Sequence, residues 1–329
     1  MKIGIIGYKG HSLKLLNIIK KKFKSYEFFI YCRKKEISKN LNLANNNSKI
    51  IYTTSLEKLF ICNAVIISSS SNSHVSYIKK FIGRGIYIFS EKPSCTHKRD
   101  YDYLKDIPKK DKGKIYFNFN LKKSKLYFDL GSILLNKSYG NIIHFNIDIT
   151  HGLSFKKEFK NNWRFKSSNI FDNISGNLGI HYLNLLEGLI GNPKSTDVSL
   201  YTSKDKVNFD TALIISNHKN NITSKVFLTY ASAYSKKISI YLTNAIVEYE
   251  NNKLSVFYPR DTFNKKGLFK KPNSILSIKY NNDFAVSSLE SSVEYFINII
   301  NKNKSFPLKD YNAGLASSIN ILNAKINKQ

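Results

Sequence analysis

The sequence predicts an α/β protein with two domains: an N-terminal parallel sheet, followed by an α+β domain with a large, mostly antiparallel, open-faced sheet. Two observations lead to this prediction. Over the first 120 residues short apolar segments alternate with helical patterns, whereas after about residue 140 one strand-like segment follows another across polar turns. We therefore expect a first domain at residues 1–120 and a second at residues 121–329.

The first domain opens with the apolar segment KIGIIG at residues 2–7, which predicts a buried strand. SLKLLNIIKKKF at residues 12–23 has the apolar spacing of a helix, with Ser12 as its candidate N-cap. A second helix is expected near residues 73–83. Because short apolar strands that alternate with helices form parallel sheets with right-handed crossovers, we expect five further strands in this sheet: YEFFIYC, KIIYTT, NAVIISS, GIYIF and KIYFNF.

The second domain is predicted to hold one strong helix, near residues 176–190, among many strands. NIIHFNIDIT at residues 141–150 is the first of these strands and alternates along its length. Two helical stretches, SLESSVEYFINIINK and DYNAGLASSINILNAKI, are expected to close the chain. Six segments separated by polar turns predict the rest of the sheet: STDVSLYTS, FDTALIIS, ITSKVFLTYAS, KISIYLTN, AIVEYEN and KLSVFYP.

The chain is strongly basic, with 52 Lys and Arg against 23 Asp and Glu and a net charge of +29. A nucleic-acid or anionic-membrane partner is one interpretation of such a charge. However, the lysines are spread along the chain with abundant Asn, Ile, Phe and Tyr, and no zinc finger, RNA-binding signature or basic heptad pattern occurs. We therefore expect compositional drift rather than nucleic-acid binding. An attraction for an anionic small molecule stays open.

Three features bear on the compartment. No run of eighteen apolar residues predicts a membrane span, and the N-terminal segment has neither the apolar core nor the cleavage site of a secretory signal. Cys32, Cys62 and Cys95 are too few and too scattered for a disulfide framework or a zinc site. These observations predict a cytoplasmic protein with no metal and no membrane partner.

The segment GIIGYKGHS joins the first predicted strand to the first helix. A glycine loop in that place brings backbone N–H groups and the positive end of the helix to a pyrophosphate. The usual fingerprint is G-x-G-x-x-G, but here only Gly7 and Gly10 fall inside the loop, and Lys9 and Ser12 occupy places where glycine is usual. A tight turn with no ligand is the alternative, and Lys9 is a candidate to contact a phosphate.

The end of the second strand bears on the choice of dinucleotide. An acidic residue there binds the ribose 2′-hydroxyl of NAD, whereas an arginine accommodates the 2′-phosphate of NADP. The chain reads Tyr31-Cys32-Arg33-Lys34, without an acid before Glu36. Arg33 therefore favours NADP over NAD, with one more basic loop in a lysine-rich chain as the alternative.

The fifth strand ends in FSEKP at residues 89–93. A residue before proline is pushed to extended geometry, because the proline ring clashes with a helical neighbour. The side chain of Lys92 is therefore aimed with little freedom.

These stretches occur in the order seen in a known family. Four stretches together resemble the Gfo/Idh/MocA oxidoreductases over nearly the whole chain. They are the glycine loop, the segment VIISSSSNSHVSYIKKFIGRGIYIFSEKPS, the segment NWRFKSSNIFDNISGNLGIHYLNLLEGLIGNPKSTDV and the closing helices. The resemblance implies a Rossmann domain, an open-faced α+β domain, and the nicotinamide of NADP or NAD between them. It also implies a homodimer or homotetramer. The cofactor-binding residues that it implies are Gly7, Tyr8, Lys9, Gly10, His11, Arg33, Ser69, Ser70, His74, Glu91 and Lys92.

For the chemistry, the resemblance implies an NAD(P)-dependent dehydrogenase that acts on a CH–OH group of a sugar or nucleotide sugar. Lys92 is expected to reach both the cofactor and the substrate hydroxyl, and to stabilise negative charge on its oxygen. His181 is the candidate base, because an imidazole titrates near neutral pH. Asn177 lies four residues earlier, on the same helix face. Trp163 and Arg164 are candidate substrate contacts.

The chain departs from the family pattern in three places. Many members have Asp four residues before and three residues after the histidine, where this chain has Asn177 and Asn184, and many have Arg at the place of Asn120. An amide takes no proton, so a mechanism with Asp as base does not apply. The nucleotide-sugar 3-dehydrogenases look similar here, with Asn before G-x-H. The alternative function is a non-catalytic dinucleotide-binding regulator or a decayed enzyme of the same fold.

Overall fold

The computed structural model describes residues 1–32, 49–156, 170–202, 209–260 and 262–328. The chain divides into two compact units, Met1–Asn120 with Leu289–Ile319, and Leu121–Ser288 with Asn320–Gln329. The sequence placed all of residues 121–329 in the second domain, whereas the structure groups Leu289–Ile319 with the first unit.

The first unit contains a parallel sheet whose described strands lie in the order β3-β2-β1-β4-β5-β6. This order reverses direction between β1 and β4, as the predicted α/β fold requires. The strands are β1 (Lys2–Ile6), β2 (Glu27–Tyr31), β3 (Ile50–Thr53), β4 (Ala64–Ile67), β5 (Tyr87–Glu91) and β6 (Ile115–Asn118). The helices are α1 (His11–Lys22), α2 (His74–Phe81), α3 (Lys98–Asp106) and α4 (Lys109–Lys112).

An aromatic cluster explains why Leu289–Ile319 belongs to the first unit. The rings of Phe89 on β5 and Phe296 meet edge to face at 5.2 Å between centroids, and Phe306 stacks on Phe296 at 5.6 Å. Tyr116 on β6 lies against the same rings. Burying a large apolar side chain contributes about 1.5–3 kcal/mol. The helical pattern of the sequence shows which face is apolar but not which sheet that face covers.

The start of α1 differs from the sequence prediction. The helix begins at His11 with Gly10 as N-cap, and no side chain caps it. Ser12 is buried inside the first turn, where its hydroxyl accepts a hydrogen bond from the Ser68 hydroxyl at 2.8 Å. The prediction of Ser12 as N-cap is wrong, because this contact with the end of β4 occupies its side chain.

The second unit is built on a mixed sheet in the order β14-β13-β12-β11-β7-β10-β9-β8-β15. Only the β7–β10 and β8–β15 pairs are parallel among the described strands, so the predicted mostly antiparallel sheet is confirmed. The strands are β7 (Ile142–Thr150), β8 (Ser195–Tyr201), β9 (Thr211–Asn217), β10 (Thr223–Thr229), β11 (Ser235–Leu242), β12 (Ile246–Glu250), β13 (Lys253–Phe257), β14 (Leu276–Lys279) and β15 (Lys325–Lys328).

Two predicted helices have different ends in the structure. The helix expected near residues 176–190 begins as a π-helical turn at Ser175–Gly179 and continues as α6 (Ile180–Ile190). The last helix stops at Leu322, and the final residues pair with β8 as a parallel strand. The remaining helices are α5 (Lys125–Leu135), α7 (Phe284–Asn301) and α8 (Leu308–Leu322). Within the described ranges, no helix has the length and apolar character to cross a membrane.

Candidate active site

The candidate site of the first unit lies at the carboxyl edge of the parallel sheet. β4 pairs with β1 on one side and with β5 on the other, so the segments that follow these three strands meet at one edge. In open α/β sheets, ligands bind at this edge where the strand order reverses. The three segments are the glycine loop at residues 7–11, the serine turn at residues 68–73 and the turn at residues 91–93.

The glycine loop has one tightly packed glycine and one open glycine. Gly7 has a φ of +123°, and a Cβ there would come within 2.4 Å of the Ser12 hydroxyl oxygen. Gly10 has a φ of +40°, and a Cβ there would meet no atom within 4 Å. The first turn of α1 carries no acidic residue. An open glycine at an uncapped helix N-terminus fits the diphosphate of a dinucleotide.

Two further residues of this loop were predicted to contact the cofactor. The ammonium of Lys9 lies 5.2 Å from the centroid of the Tyr8 ring, which is a cation–π contact. Lys9 is exposed and Tyr8 is half-buried. Both residues belong to the same loop as Gly10, its open position.

The serine turn after β4 is closed by its own hydroxyl groups. The hydroxyls of Ser69 and Ser73 lie 2.7 Å apart. The hydroxyl and the backbone N–H of Ser73 both donate to the carbonyl oxygen of Ser70, at 2.7 and 2.9 Å. This turn leads directly into α2, which begins at His74.

His74 connects the serine turn to the turn after β5. Its Nδ1 lies 3.0 Å from the carbonyl oxygen of Pro93, and its Nε2 lies 3.1 Å from the carbonyl oxygen of Ser69. The side chain is buried, and burial lowers the pKa of His74 in spite of both contacts. A neutral imidazole has one N–H, so it donates to one of these oxygens at a time. The position indicates that His74 positions the turn that carries Lys92.

Glu91 is the last residue of β5 and is buried. Its Oε1 accepts from Nδ2 of Asn118 at 2.7 Å and lies 2.8 Å from Nε2 of His11. Burial alone would raise the pKa of Glu91, but the charge and hydrogen bond of His11, with the bond from Asn118, lower it to about 2. The charge of Glu91 in turn raises the pKa of His11.

Lys92 follows Glu91 and is half-buried. The Lys92–Pro93 peptide bond is cis. Ser94 holds the turn against α8, because its hydroxyl oxygen lies 3.0 Å from the carbonyl oxygen of Gly314 and 2.8 Å from the Ser318 hydroxyl. The backbone on both sides of Lys92 is thus held by buried polar contacts.

The candidate catalytic helix of the second unit starts with the π-helical turn Ser175–Gly179. A Cβ at Gly176 would lie 2.4 Å from the Cα of Phe171, and one at Gly179 would lie 2.8 Å from the side chain of Ile214 on β9. Both glycines therefore allow close packing. π-helical turns occur most often at functional sites.

Asn177 and His181 lie at the beginning of this helix, and both are half-buried. Asn177 donates Nδ2 to the hydroxyl of Tyr230 at 3.2 Å, and the Tyr230 ring stacks on His151 at 4.6 Å between centroids. Asn184, one turn further along, is 1% exposed. Asn177 and His181, but not Asn184, are thus accessible to a ligand.

The structure brings the predicted site residues together in two groups. The first unit holds Gly7, Tyr8, Lys9, Gly10, His11, Ser69, Ser70, His74, Glu91 and Lys92, and the second holds Asn177 and His181. Arg33, Trp163 and Arg164 lie outside the described residues.

Sequence reasoning missed Asn118, Tyr230 and His151. Asn118 ends β6, beside Glu91 in the pairing of β5 with β6. The predicted strand order could therefore have indicated that Asn118 lies beside Glu91, because neighbouring parallel strands end side by side. Tyr230 follows a strand that is distant from α6 in the chain, and no local pattern marks it.

Two family models match the chain. The model of an oxidoreductase family with an NAD-binding Rossmann fold matches residues 1–119, and the GFO/IDH/MocA C-terminal domain matches residues 129–248. Among curated proteins, Oxidoreductase P35 of Formosa agariphila is 25% identical over 131 residues, which is 38% of this chain and 41% of P35. The chain spans less than half the length of the curated relatives it matches.

Solved structures resemble the whole chain. KijD10, a 3-ketoreductase of Actinomadura kijaniata in complex with NADP and TDP-benzene, has a TM-score of 0.80 at 11% identity over 100% of this chain and 99% of its own. The UDP-N-acetylglucosamine 3-dehydrogenase GnnA of Acidithiobacillus ferrooxidans has a TM-score of 0.73 at 13% identity over 99% of this chain and 96% of its own. At these identities the likeness is one of fold.

Proposed function

The chain belongs to the Gfo/Idh/MocA family of NAD(P)-binding oxidoreductases, and we propose that it transfers a hydride between NADP or NAD and a hydroxyl or keto group of a sugar or nucleotide sugar. The observation that carries the proposal is the turn of Glu91, Lys92 and Pro93, held by His74 at the same sheet edge as the open Gly10 loop. Such an edge is where a dinucleotide and a reacting side chain come together.

The first unit supplies the residues that hold the cofactor. Gly10 and the N-terminus of α1 would hold the diphosphate, with Lys9 as a further contact, and the serine turn would line the same edge of the sheet. The bound nicotinamide supplies the hydride acceptor or donor. Arg33 is proposed to favour NADP, through its charge on the 2′-phosphate.

Lys92 is proposed to bind the reacting oxygen of the substrate. An ammonium stabilises negative charge that develops on oxygen as the hydroxyl loses its proton. The contacts at Pro93, which His74 holds, and at Ser94 lie just after Lys92 and limit the movement of its backbone. The side chain is therefore positioned before the substrate arrives, which lowers the entropic cost of reaction.

His181 is proposed to take the proton from the substrate hydroxyl, or to return it in the reverse direction. An imidazole does this near neutral pH, whereas the neighbouring Asn177 takes no proton and is proposed to bind a substrate hydroxyl. The contact from Asn177 to Tyr230 orients this amide.

Nucleotide sugars are the substrate class that the basic chain favours. A net charge of +29 attracts the diphosphate of a nucleotide sugar more strongly than a neutral sugar. Of two proteins of similar fold, GnnA is named a UDP-N-acetylglucosamine 3-dehydrogenase, and KijD10, named a 3-ketoreductase, is in complex with TDP-benzene. Trp163 and Arg164 are proposed to line the substrate site.

A homodimer or homotetramer is proposed through the open face of the large sheet. Ile215, Tyr241 and Ile246 are exposed there, beside the half-buried Leu213 and Phe227. A second copy of the chain would remove these apolar side chains from water. Light scattering of the purified protein measures the assembly.

The function is tested by following nicotinamide reduction with NADP⁺ and NAD⁺ over a panel of UDP- and TDP-sugars, free sugars and inositols. We expect one sugar class to reduce the cofactor, and Lys92→Ala and His181→Gln each to lower the rate. If both residues act on one hydroxyl, the double variant should be scarcely slower than the slower single variant. Tight dinucleotide binding without turnover for any substrate would instead indicate a regulator.

A further inference from the structure

Five side chains of the first unit form a continuous chain of hydrogen bonds. The Ser292 hydroxyl on α7 donates to Oδ1 of Asn118 at 2.6 Å, so its oxygen is left to accept from the Tyr116 hydroxyl at 2.7 Å. Asn118 then donates Nδ2 to Oε1 of Glu91 at 2.7 Å, and the same oxygen lies 2.8 Å from Nε2 of His11. Every donor in this order points towards the Glu91 carboxylate.

The chain runs from the core to the surface. Tyr116, Asn118, Ser292 and Glu91 are buried, whereas the side chain of His11 is 46% exposed. A buried carboxylate is stable only with donors and opposite charge around it. Asn118 supplies the donor from inside, and His11 supplies a donor and a charge from the open end.

The groups that act on the charge of His11 come from two elements. From β5 and its end, Glu91 favours the imidazolium and Lys92 disfavours it, and from α1 itself Lys14 disfavours it. The effect of Glu91 is the larger, so the pKa of His11 is raised. His11 directly follows Gly10, the open position of the loop, in the chain.

We propose that His11, whose Nε2 is held 2.8 Å from Oε1 of Glu91, is a cationic anchor for the diphosphate of the bound dinucleotide, and that Asn118, Ser292 and Tyr116 are positioning residues for this pair. The proposal rests on the proposed function, because it concerns the same cofactor. It gives a physical reason for the altered glycine fingerprint. Lys9 and Ser12 replace glycines in this loop. Positive charge from the loop residues would therefore supply part of the diphosphate binding that backbone N–H groups supply in the usual fingerprint.

The first part of the test needs no cofactor. The pKa of His11 is measured by NMR titration of its imidazole in the full chain, with His11→Gln to assign the signal. We expect a value above the usual 6.5 or so that falls in Glu91→Gln and, by less, in Tyr116→Phe and Ser292→Ala. Ser317→Ala is the matched control, since this buried serine on α8 donates to the backbone of its own helix.

The second part measures the affinity for NADH between about pH 6 and pH 9, the range in which a raised histidine titrates. NADH is the probe because the 2′-phosphate of NADPH itself titrates near pH 6. We expect the dissociation constant of the wild type to rise about tenfold as His11 loses its proton, the loss of one charge-assisted contact. His11→Gln keeps a donor to Glu91 but no charge, and should bind weakly at every pH.

The outcomes separate this proposal from the proposed function. Tight NADH binding that does not change with pH, or an unchanged slope in His11→Gln, overturns the role of His11 and leaves the dehydrogenase intact. If the His11 pKa in Tyr116→Phe and Ser292→Ala equals that of the wild type, the positioning role of the buried hydrogen-bonded side chains is overturned. Absence of binding of both NADH and NADPH at every pH overturns the anchor together with the cofactor site itself.

Discussion

The imidazole Nδ1 of His74 lies 3.0 Å from the carbonyl oxygen of Pro93, and this contact holds the turn that carries Lys92. Nineteen residues separate the two in sequence, and they belong to segments that follow neighbouring strands. The proposed role of Lys92 depends on such contacts, because its ammonium can meet the substrate oxygen only if its backbone is held in place.

His74→Ala is expected to lower both stability and turnover. It removes the imidazole N–H that bonds the carbonyl oxygen of either Pro93 or Ser69, which costs about 1–3 kcal/mol in the free energy of unfolding, and it lets the turn of Lys92 move. Urea unfolding and steady-state rates measure the two effects. His97→Ala is the control, since that ring lies half-exposed at the start of α3. Unchanged turnover in a destabilised His74→Ala would show that the contact is structural only.

Lys92→Ala is expected to reduce kcat by about 10²–10⁴ while the affinity for the dinucleotide stays nearly the same. The reason is that the ammonium acts on the oxygen of the substrate, where charge develops only during the reaction. Rates and nicotinamide fluorescence are compared with Lys98→Ala, an exposed lysine of α3 paired with Asp102. Normal turnover in Lys92→Ala would contradict the role assigned to Lys92.

His181→Gln is expected to lower kcat by about 10²–10⁴ and to remove the low-pH limb of the rate profile, because the glutamine amide neither takes nor releases a proton. Tyr230→Phe removes the acceptor of the Asn177 amide but keeps a ring against His151, so it should alter KM more than kcat. A pH profile in His181→Gln identical in shape to that of the wild type would exclude His181 as the base.

His11 and His74 are expected to make stability depend on pH in opposite directions. The raised pKa of His11 contributes stability that is fully present below about pH 6.5 and is lost as pH rises through the raised value. The lowered pKa of His74 costs stability as pH falls below about 6.5, because the unfolded histidine takes up a proton that the buried ring resists.

Urea unfolding of the wild type and His11→Gln over a pH series measures the first of these effects. The difference between the two proteins should shrink as pH rises, whereas a constant difference would show that Glu91 does not charge His11. A His74→Gln variant measured alongside should lose less stability on acidification than the wild type.

Local patterns predicted most of the fold. Apolar segments predicted the strands of the first sheet and β7 to β13 of the second, but not β14 and β15, and the pattern around EKP and G-x-H indicated Lys92 and His181. The failures arise where a distant contact decides the structure. Ser12 is not a cap because Ser68 occupies its hydroxyl, and Leu289–Ile319 joins the first unit because its aromatic face meets β5 and β6.

The site was predicted less completely than the fold, for the same reason. Sequence indicated the residues that face a ligand but not the residues that hold them. Asn118 and Ser292 are 174 residues apart and meet through the packing of α7 on the first sheet. The π-helical turn at Ser175–Gly179 depends on how closely two glycines approach their neighbours, which no periodicity reveals.

The most direct test of the account is a titration of the purified chain with NADPH and with NADH, followed by nicotinamide fluorescence. We expect saturable, tight binding of at least one of them, with NADPH favoured and with the preference reduced in Arg33→Ala. The absence of binding by either dinucleotide would contradict the central claim that the Gly10 loop and the turn of Lys92 form a cofactor site.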